Sequence, residues 1–225
     1  MADLFSDGFE SGDLTAWDSS VIDGGDLSAH ADAAIHGSYG MKMVVDDTNA
    51  IYVQDNTPNG STRYRARFYY DPNTIASLSS IRLLADSSWT FFLNTYYGGG
   101  NYKVNLFVRQ DSGVDLYTSY YVYSDAPHYI EIDWKASSGD GNNDGFGKLW
   151  IDGVLKETLA NIDNDTKTIT AVRLGASLIG GGTGTMYLDD FASNDDGGEI
   201  GMLHKWNSKT ISKWNGRLVK KINGI

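Results

Sequence analysis

The sequence has no cysteine and only 3 prolines among 225 residues. Without thiols, disulfide scaffolds, thiolate zinc sites and cysteine nucleophiles are all excluded. Long apolar runs are missing too. Nothing approaches the roughly 20 residues of a helical membrane span, so membrane insertion is not expected. The opening Met1-Ala2-Asp3-Leu4-Phe5 lacks the basic segment and apolar stretch of a secretion signal. Two routes outward remain: a processed precursor, or a particle component released by lysis. Bases are scarce as well, with 18 Lys+Arg against 29 Asp+Glu and a net charge of -11. Such a field repels phosphate, which excludes nucleic acid as the main partner.

What is present is apolar and aromatic: 41% hydrophobic and 12% aromatic residues, 14 of them Tyr. That is enough to build a core and too much for a disordered acidic chain. Charge is divided unevenly. Residues 1–201 hold all 29 acids and 12 of the bases, a formal -17, whereas 202–225 hold 6 bases and no acid. The sequence therefore predicts a body over 1–197 and a basic tail over 198–225. The tail repeats every eight residues, as Lys205-Trp206-Asn207-Ser208, Lys213-Trp214-Asn215-Gly216 and Lys221-Ile222-Asn223-Gly224. Asn-Gly at fixed intervals marks turns between short extended pieces, so the tail predicts a small β meander or β-solenoid fragment. Trp206, Trp214 and Ile222 need a second surface to pack against, which makes them the expected assembly contacts.

The body alternates with period two. In Arg63–Tyr70, Tyr64, Phe68 and Tyr70 share one face and three arginines the other. Tyr102, Val104, Leu106 and Val108 repeat the pattern, as do Ile130, Ile132 and Trp134, Leu149 with Ile151, and Met186 with Leu188. Gly98-Gly99-Gly100, Asp140–Gly145, Asp152-Gly153 and Gly180-Gly181-Gly182 punctuate the runs. Many short strands without intervening helices predict an all-β, two-sheet antiparallel sandwich.

Three stretches carry a resemblance. Phe5–Trp17 resembles the first strand of concanavalin A-like jelly rolls of the laminin-G-like type. His128–Lys135 with Leu149–Val154 resembles that family's paired central strands, and Met186–Phe191 its last strand. The resemblance implies two curved sheets of six or seven strands with the first and last strands adjacent. It implies a fold rather than an activity, since the family includes lectins, glycanases, lyases, adhesins and virion surface proteins. The octad tail is similar to C-terminal repeats of bacteriophage structural proteins.

Four groups of residues are candidates for chemistry. A retaining glycanase of this fold carries Glu-x-Asp-x-Glu on a strand. Glu131-Ile132-Asp133-Trp134-Lys135 ends in lysine instead, so hydrolysis of that kind is not expected. Hard oxygen ligands favour calcium, and the resemblance places the first turn beside the last strand. Asp7, Glu10 and Asp13 with Asp189 are the expected structural calcium ligands. Asp140–Gly145 opens like an EF-hand loop, but Ile151 stands where the bidentate acid belongs, so it reads as a hairpin turn. Sugar binding needs exposed rings, for which Tyr96, Tyr97 and Tyr121 are the expected platforms.

These readings converge on a noncatalytic virion surface protein, a capsid decoration or fibre-associated subunit. It displays a jelly roll for glycan or host-surface adhesion and attaches to other virion proteins or to copies of itself through 202–225. A secreted or cell-surface carbohydrate-binding module is the alternative, and a glycan hydrolase or lyase the third. A basic tail that remains a flexible, solvated terminus is the plain reading against which the attachment role stands.

Overall fold

A computed structural model describes residues 4–73, 75 and 80–201, together with the backbone of three strands between 203 and 219. Two antiparallel sheets face each other. The first runs in the order β14 (Val154–Ile162), β13 (Gly145–Ile151), β12 (His128–Lys135), β6 (Arg63–Asp71), β16 (Gly184–Asn194), β4 (Gly40–Val45) and β3 (Leu27–His30), with β1 (Phe5–Asp7) also on β16. The second runs β10 (Asp115–Tyr117), β9 (Asn101–Arg109), β8 (Phe91–Gly98), β7 (Ile81–Asp86), β15 (Val172–Ala176), β5 (Ile51–Asp55) and β2 (Ser19–Val21), with β11 (Tyr121–Tyr123) also on β9. Each sheet counts eight strands, more than the six or seven the resemblance implies, because short edge strands join both. First and last strands of the body are adjacent as expected, with Phe5 opposite Ser193 and Asp7 opposite Phe191. Among the described residues no helix is long and apolar enough to cross a membrane.

The alternating residues supply the core. Tyr64, Phe68, Tyr70, Ile130, Ile132 and Trp134 point from the first sheet towards Phe91, Leu93, Val104 and Leu106 of the second, and all are buried. Trp134 stands opposite Gly147, where a Cβ would lie 2.5 Å from the Val108 side chain. Only glycine leaves the two sheets room to close there.

The other phase of β6 does not face water. Arg65 and Arg67 are buried, like Tyr64 and Ala66 beside them. Residues 195–201, which follow β16, turn back over this face. The Arg65 guanidinium donates to the Gly197 carbonyl at 3.5 Å and Asn194 Nδ2 to the Gly198 carbonyl at 2.9 Å. Gly197 has φ +76° and sits so close that a Cβ would overlap the Arg63 guanidinium. Beneath this strap Arg63 grips Asp133 through two bonds, at 3.2 and 2.9 Å, and Arg65 pairs with Glu131.

Beyond Gly201 the octads form a third, three-stranded antiparallel sheet: β17 (Leu203–Trp206), β18 (Lys209–Trp214) and β19 (Arg217–Val219). The eight-residue period thus resolves into a meander. Ile222 lies outside the described residues.

Candidate functional site

The outer face of the second sheet carries a second, smaller apolar cluster, Ala85, Phe92 and Phe107, separate from the core. It belongs to a row that crosses seven strands: Tyr117, Phe107, Phe92, Ala85, Arg173, Gln54 and Ser19 stand opposite one another in turn. Phe92 and Phe107 stack at 3.9 Å, and Tyr117 meets Phe107 edge-on at 5.2 Å. Tyr117 is 51% exposed. The row is therefore a packed aromatic floor with an open ring at one end.

Its other open ring is Trp89, 38% exposed, in the turn between β7 and β8. Trp89 has φ +63°, a left-handed backbone that costs a bulky residue energy unless its surroundings hold it there. The buried Asp86 holds it: its carboxylate accepts the N–H groups of Ser88 and Phe91, both at 2.9 Å, and its carbonyl that of Trp89. The indole then meets Phe92 and the Arg82 guanidinium, which lies 3.6 Å from its ring centre.

Arg82 reaches this face through a β-bulge. Arg82 stands opposite Asn94 but Leu84 opposite Leu93, so Leu83 and Leu84 are both buried while Arg82 and Ala85 both face outward. The next row of the face is Arg82, Asn94 and Asn105. The side-chain oxygens of Asn94 and Asn105 are buried without a hydrogen-bond partner, and Asn105 is only 1% exposed. Buried amide oxygens left without donors are costly.

The tyrosines expected as platforms divide by alternation. Tyr96 faces outward, edge-on to the exposed Tyr120 at 4.7 Å with Lys103 over its ring. Tyr97 turns inward onto Tyr102 at 4.7 Å. Tyr121 packs on the core and donates its hydroxyl to Glu157 at 2.7 Å. Trp89, Arg82 and Phe92 are not among the residues the sequence suggests, and Tyr117 is a further exposed tyrosine. The signal for Phe92 is the second phase of β8 and β9, Phe92-Asn94-Tyr96 against Phe107-Asn105-Lys103.

The four expected metal ligands do not meet as one set. Asp7 accepts the Phe9 N–H at 2.9 Å and the Trp17 indole N–H at 2.8 Å. Asp13 closes its own turn through the Thr15 N–H and hydroxyl. Glu10 caps the loop at Ser38 and Tyr39. Asp189 instead joins His36 and Asp190, whose ligand atoms all lie within 4.8 Å of one another. Asp189 accepts the Ile35 and His36 N–H groups, at 2.9 and 2.8 Å. Burial, opposed by these bonds and reinforced by Asp190, pushes its carboxyl up to about 7. His36 Nδ1 and Asp190 Oδ2 sit 2.5 Å apart, both buried, in an orientation that satisfies neither as a hydrogen bond. Two carboxylates and an orphaned imidazole nitrogen suit a cation. A second acidic group, Asp111, Asp163 and Asp165, could also hold a metal.

Glu131 and Asp133 lie under the strap and are paired with arginines, and Lys135 is paired with Asp144 at 3.1 Å. One arrangement that spacing did not reveal is Ser124, His128 and Asp152, with Ser124 Oγ 2.9 Å from Nε2 and Asp152 2.8 Å from Nδ1. The Ser124 N–H also donates to Nε2, at 3.2 Å, so the base shares its lone pair with the main chain. The trio acts as a clamp between two turns.

No protein-family model matches the chain, and no curated protein matches it in sequence. Solved structures do match. The globular domain of T. cruzi calreticulin aligns with a TM-score of 0.59 over 87% of this chain and 88% of that one, at 12% identity. The cellulose induced protein Cip1 aligns at 0.57 over 85% and 97%, at 18% identity. The botulinum neurotoxin type G receptor binding domain aligns at 0.52 over 76% of this chain, at 11% identity, and the chain spans 43% of its length. At these identities the likeness is one of fold: the chain is a concanavalin A-like jelly roll.

Proposed function

We propose that the chain is a noncatalytic glycan-binding domain whose ligand lies across the outer face of the second sheet. The observation that carries this is the pair of exposed rings, Trp89 and Tyr117, flanking a floor with unpartnered Asn94 and Asn105 amide oxygens. Rings stack on sugar faces and the amides accept from hydroxyls, the division of labour a saccharide site requires. A cellulose induced protein and a receptor binding domain among the fold neighbours accord with it. The absence of catalysis rests on the burial and arginine pairing of Glu131 and Asp133. Affinity electrophoresis and calorimetry against a panel of soluble polysaccharides test the reading. Trp89→Ala with Tyr117→Ala is expected to weaken binding by about tenfold or more, since each stacked ring is worth roughly 0.5–1.5 kcal/mol beyond its buried area. A double variant that binds like the parent, or a panel with no ligand at all, removes the proposal.

The cation at His36, Asp189 and Asp190 is proposed to be a structural calcium. Both carboxylates favour it, while His36 is the donor a hard ion favours least, so manganese and zinc belong in the same assay.

A second reading, display on a virion surface, draws on the tail. Its three described strands form a sheet of their own, and residues 202–225 carry 6 bases and no acid against -17 for residues 1–201. Trp206→Ala with Trp214→Ala is expected to reduce particle incorporation or self-association in sedimentation, leaving the body's melt unchanged. Unaltered assembly overturns it. An extracellular or cell-surface location is the alternative.

A further inference from the structure

We infer that the glycan recognised on this face is acidic, a polysaccharide bearing uronate carboxylates or sulfate esters, with its anionic group seated against Arg82. The inference rests on the glycan-binding reading and narrows it to a ligand class.

Charge placement is the first argument. The body has far more acids than bases, yet the outward charges of this face are Arg82, Lys103, Arg109 and Arg173 against Asp115. Arg109 is neutralised by Asp115 at 3.0 and 3.3 Å, at the edge of the sheet. Arg173 is turned towards Gln54 by a 2.8 Å bond. Arg82, Lys103 and Arg173 form no ion pair among the described residues. On the opposite sheet the same chain supplies Asp133 to Arg63 and Glu131 to Arg65. Acids were plentiful, yet none forms an ion pair with Arg82 among the described residues, and Asp115, the acid that acts on it through space, is already bonded to Arg109.

The surroundings of Arg82 are the second argument. Its guanidinium lies 3.6 Å from the Trp89 ring centre and 4.2 Å from that of Phe92. Cation–π contact favours that position, but the rings also strip away water, and Nη1 is buried with no hydrogen-bond partner. Burial is accordingly the main influence lowering its pKa from the ordinary arginine value. A planar, partly dehydrated guanidinium with an unused N–H is prepared for an anion, because a charge-assisted bond there replaces a missing one. Asn94 and Asn105 continue the same row with oxygens that accept from neighbouring hydroxyls. Lys103 lies one row further, opposite Tyr96, where the next acidic unit of a chain would meet it. Anion, hydroxyls and ring faces are thus met by adjacent residues.

The experiment is calorimetry on the full chain with three probes of matched length: oligo-uronates, sulfated galactan oligosaccharides and neutral cello-oligosaccharides, with polyglutamate as competitor. Acidic oligosaccharides are expected to bind about tenfold or more tightly than neutral ones, more weakly as salt rises. Whichever acidic probe binds identifies the anion as carboxylate or sulfate. Arg82→Gln is expected to abolish the preference, read as the ratio of acidic to neutral affinity, and Arg82→Lys to restore only part of it, lacking the planar fork. Lys103→Gln, outside the packed rings, lowers acidic affinity without touching the fold. Equal affinity for neutral and acidic probes, with Arg82→Gln silent, overturns the acidic ligand and leaves glycan binding standing. Failure of every glycan removes both. Competition by polyglutamate as strong as by oligo-uronate overturns the inference in favour of plain charge attraction.

Discussion

Glu131→Ala is expected to lower the melting temperature by about 10 °C. Glu131 is 2% exposed and paired with Arg65, which is itself buried between the Trp150 ring and the strap. Removing the carboxylate leaves a buried guanidinium whose nearest acid is Asp133, 3.8 Å away and already held by Arg63, beside a long bond to the Gly197 carbonyl. Breaking one half of such a pair costs roughly 3–5 kcal/mol, and a domain of this size loses about 2–4 °C per kcal/mol. The pair itself is not expected to be a large net stabiliser. Burial is the first influence on Glu131 and raises its pKa, with Arg65 pulling the other way. Replacing both partners, Arg65→Met with Glu131→Leu, is therefore expected to recover most of the loss. Thermal melts of the singles and the double decide it. A Glu131→Ala protein that melts within about 2 °C of the parent contradicts the account.

Excess chelator is expected to lower the melting temperature by about 5–10 °C relative to saturating calcium. A ligand bound only to the folded state at about 100 times its Kd adds about 2.7 kcal/mol. The effect depends on pH with a definite sign. Without a cation, Asp189 titrates near 7 when folded against 3.8 as its ordinary value. The raised pKa contributes stability that is present below about 4 and lost as pH climbs through 7. Cation binding needs the ionised form and works in the opposite direction. The gap between chelated and calcium-loaded protein should be small at about pH 5 and widen towards pH 8. Asp190→Asn is expected to close the gap at every pH. A gap that ignores pH, or no gap at all, argues that the three residues hold no ion.

Much of the fold was legible because its strands are amphipathic in a simple way. Tyr64, Phe68 and Tyr70 point inward as their spacing says, and the Phe5–Trp17 segment meets the last strand of the body. The arginine phase of β6 was not legible. What covers it is a strap roughly 130 residues downstream, and no local pattern announces a cover that arrives from so far along the chain. Tyr96 and Tyr97 show a different limit. Neighbours on a strand face opposite ways, and only the pairing of Tyr97 with the inward Tyr102 fixes which one is outside. Arg82 was hidden by the bulge at Leu83 and Leu84, which breaks the alternation that would have placed it. The resemblance singles out Asp189, and Asp190 is its neighbour on β16, whereas His36 joins them only through the way the loop after β3 folds back.

The place where the chain leaves the body also decides how the domain responds to tension. A pull applied beyond Gly201 first meets the strap, whose few contacts at Gly197 and Gly198 yield one at a time, as a strip is peeled. The pull then runs lengthwise along β16, the longest strand, which is bonded to β6 on one side and to β4 on the other, with β1 beside its final residues. Force along that axis strains the ladders in parallel, so the rupture force is set by many bonds sharing the strain. The aromatic stripe lies on the far sheet, away from that path. A load entering at Gly201 is therefore carried by the first sheet before it reaches that stripe.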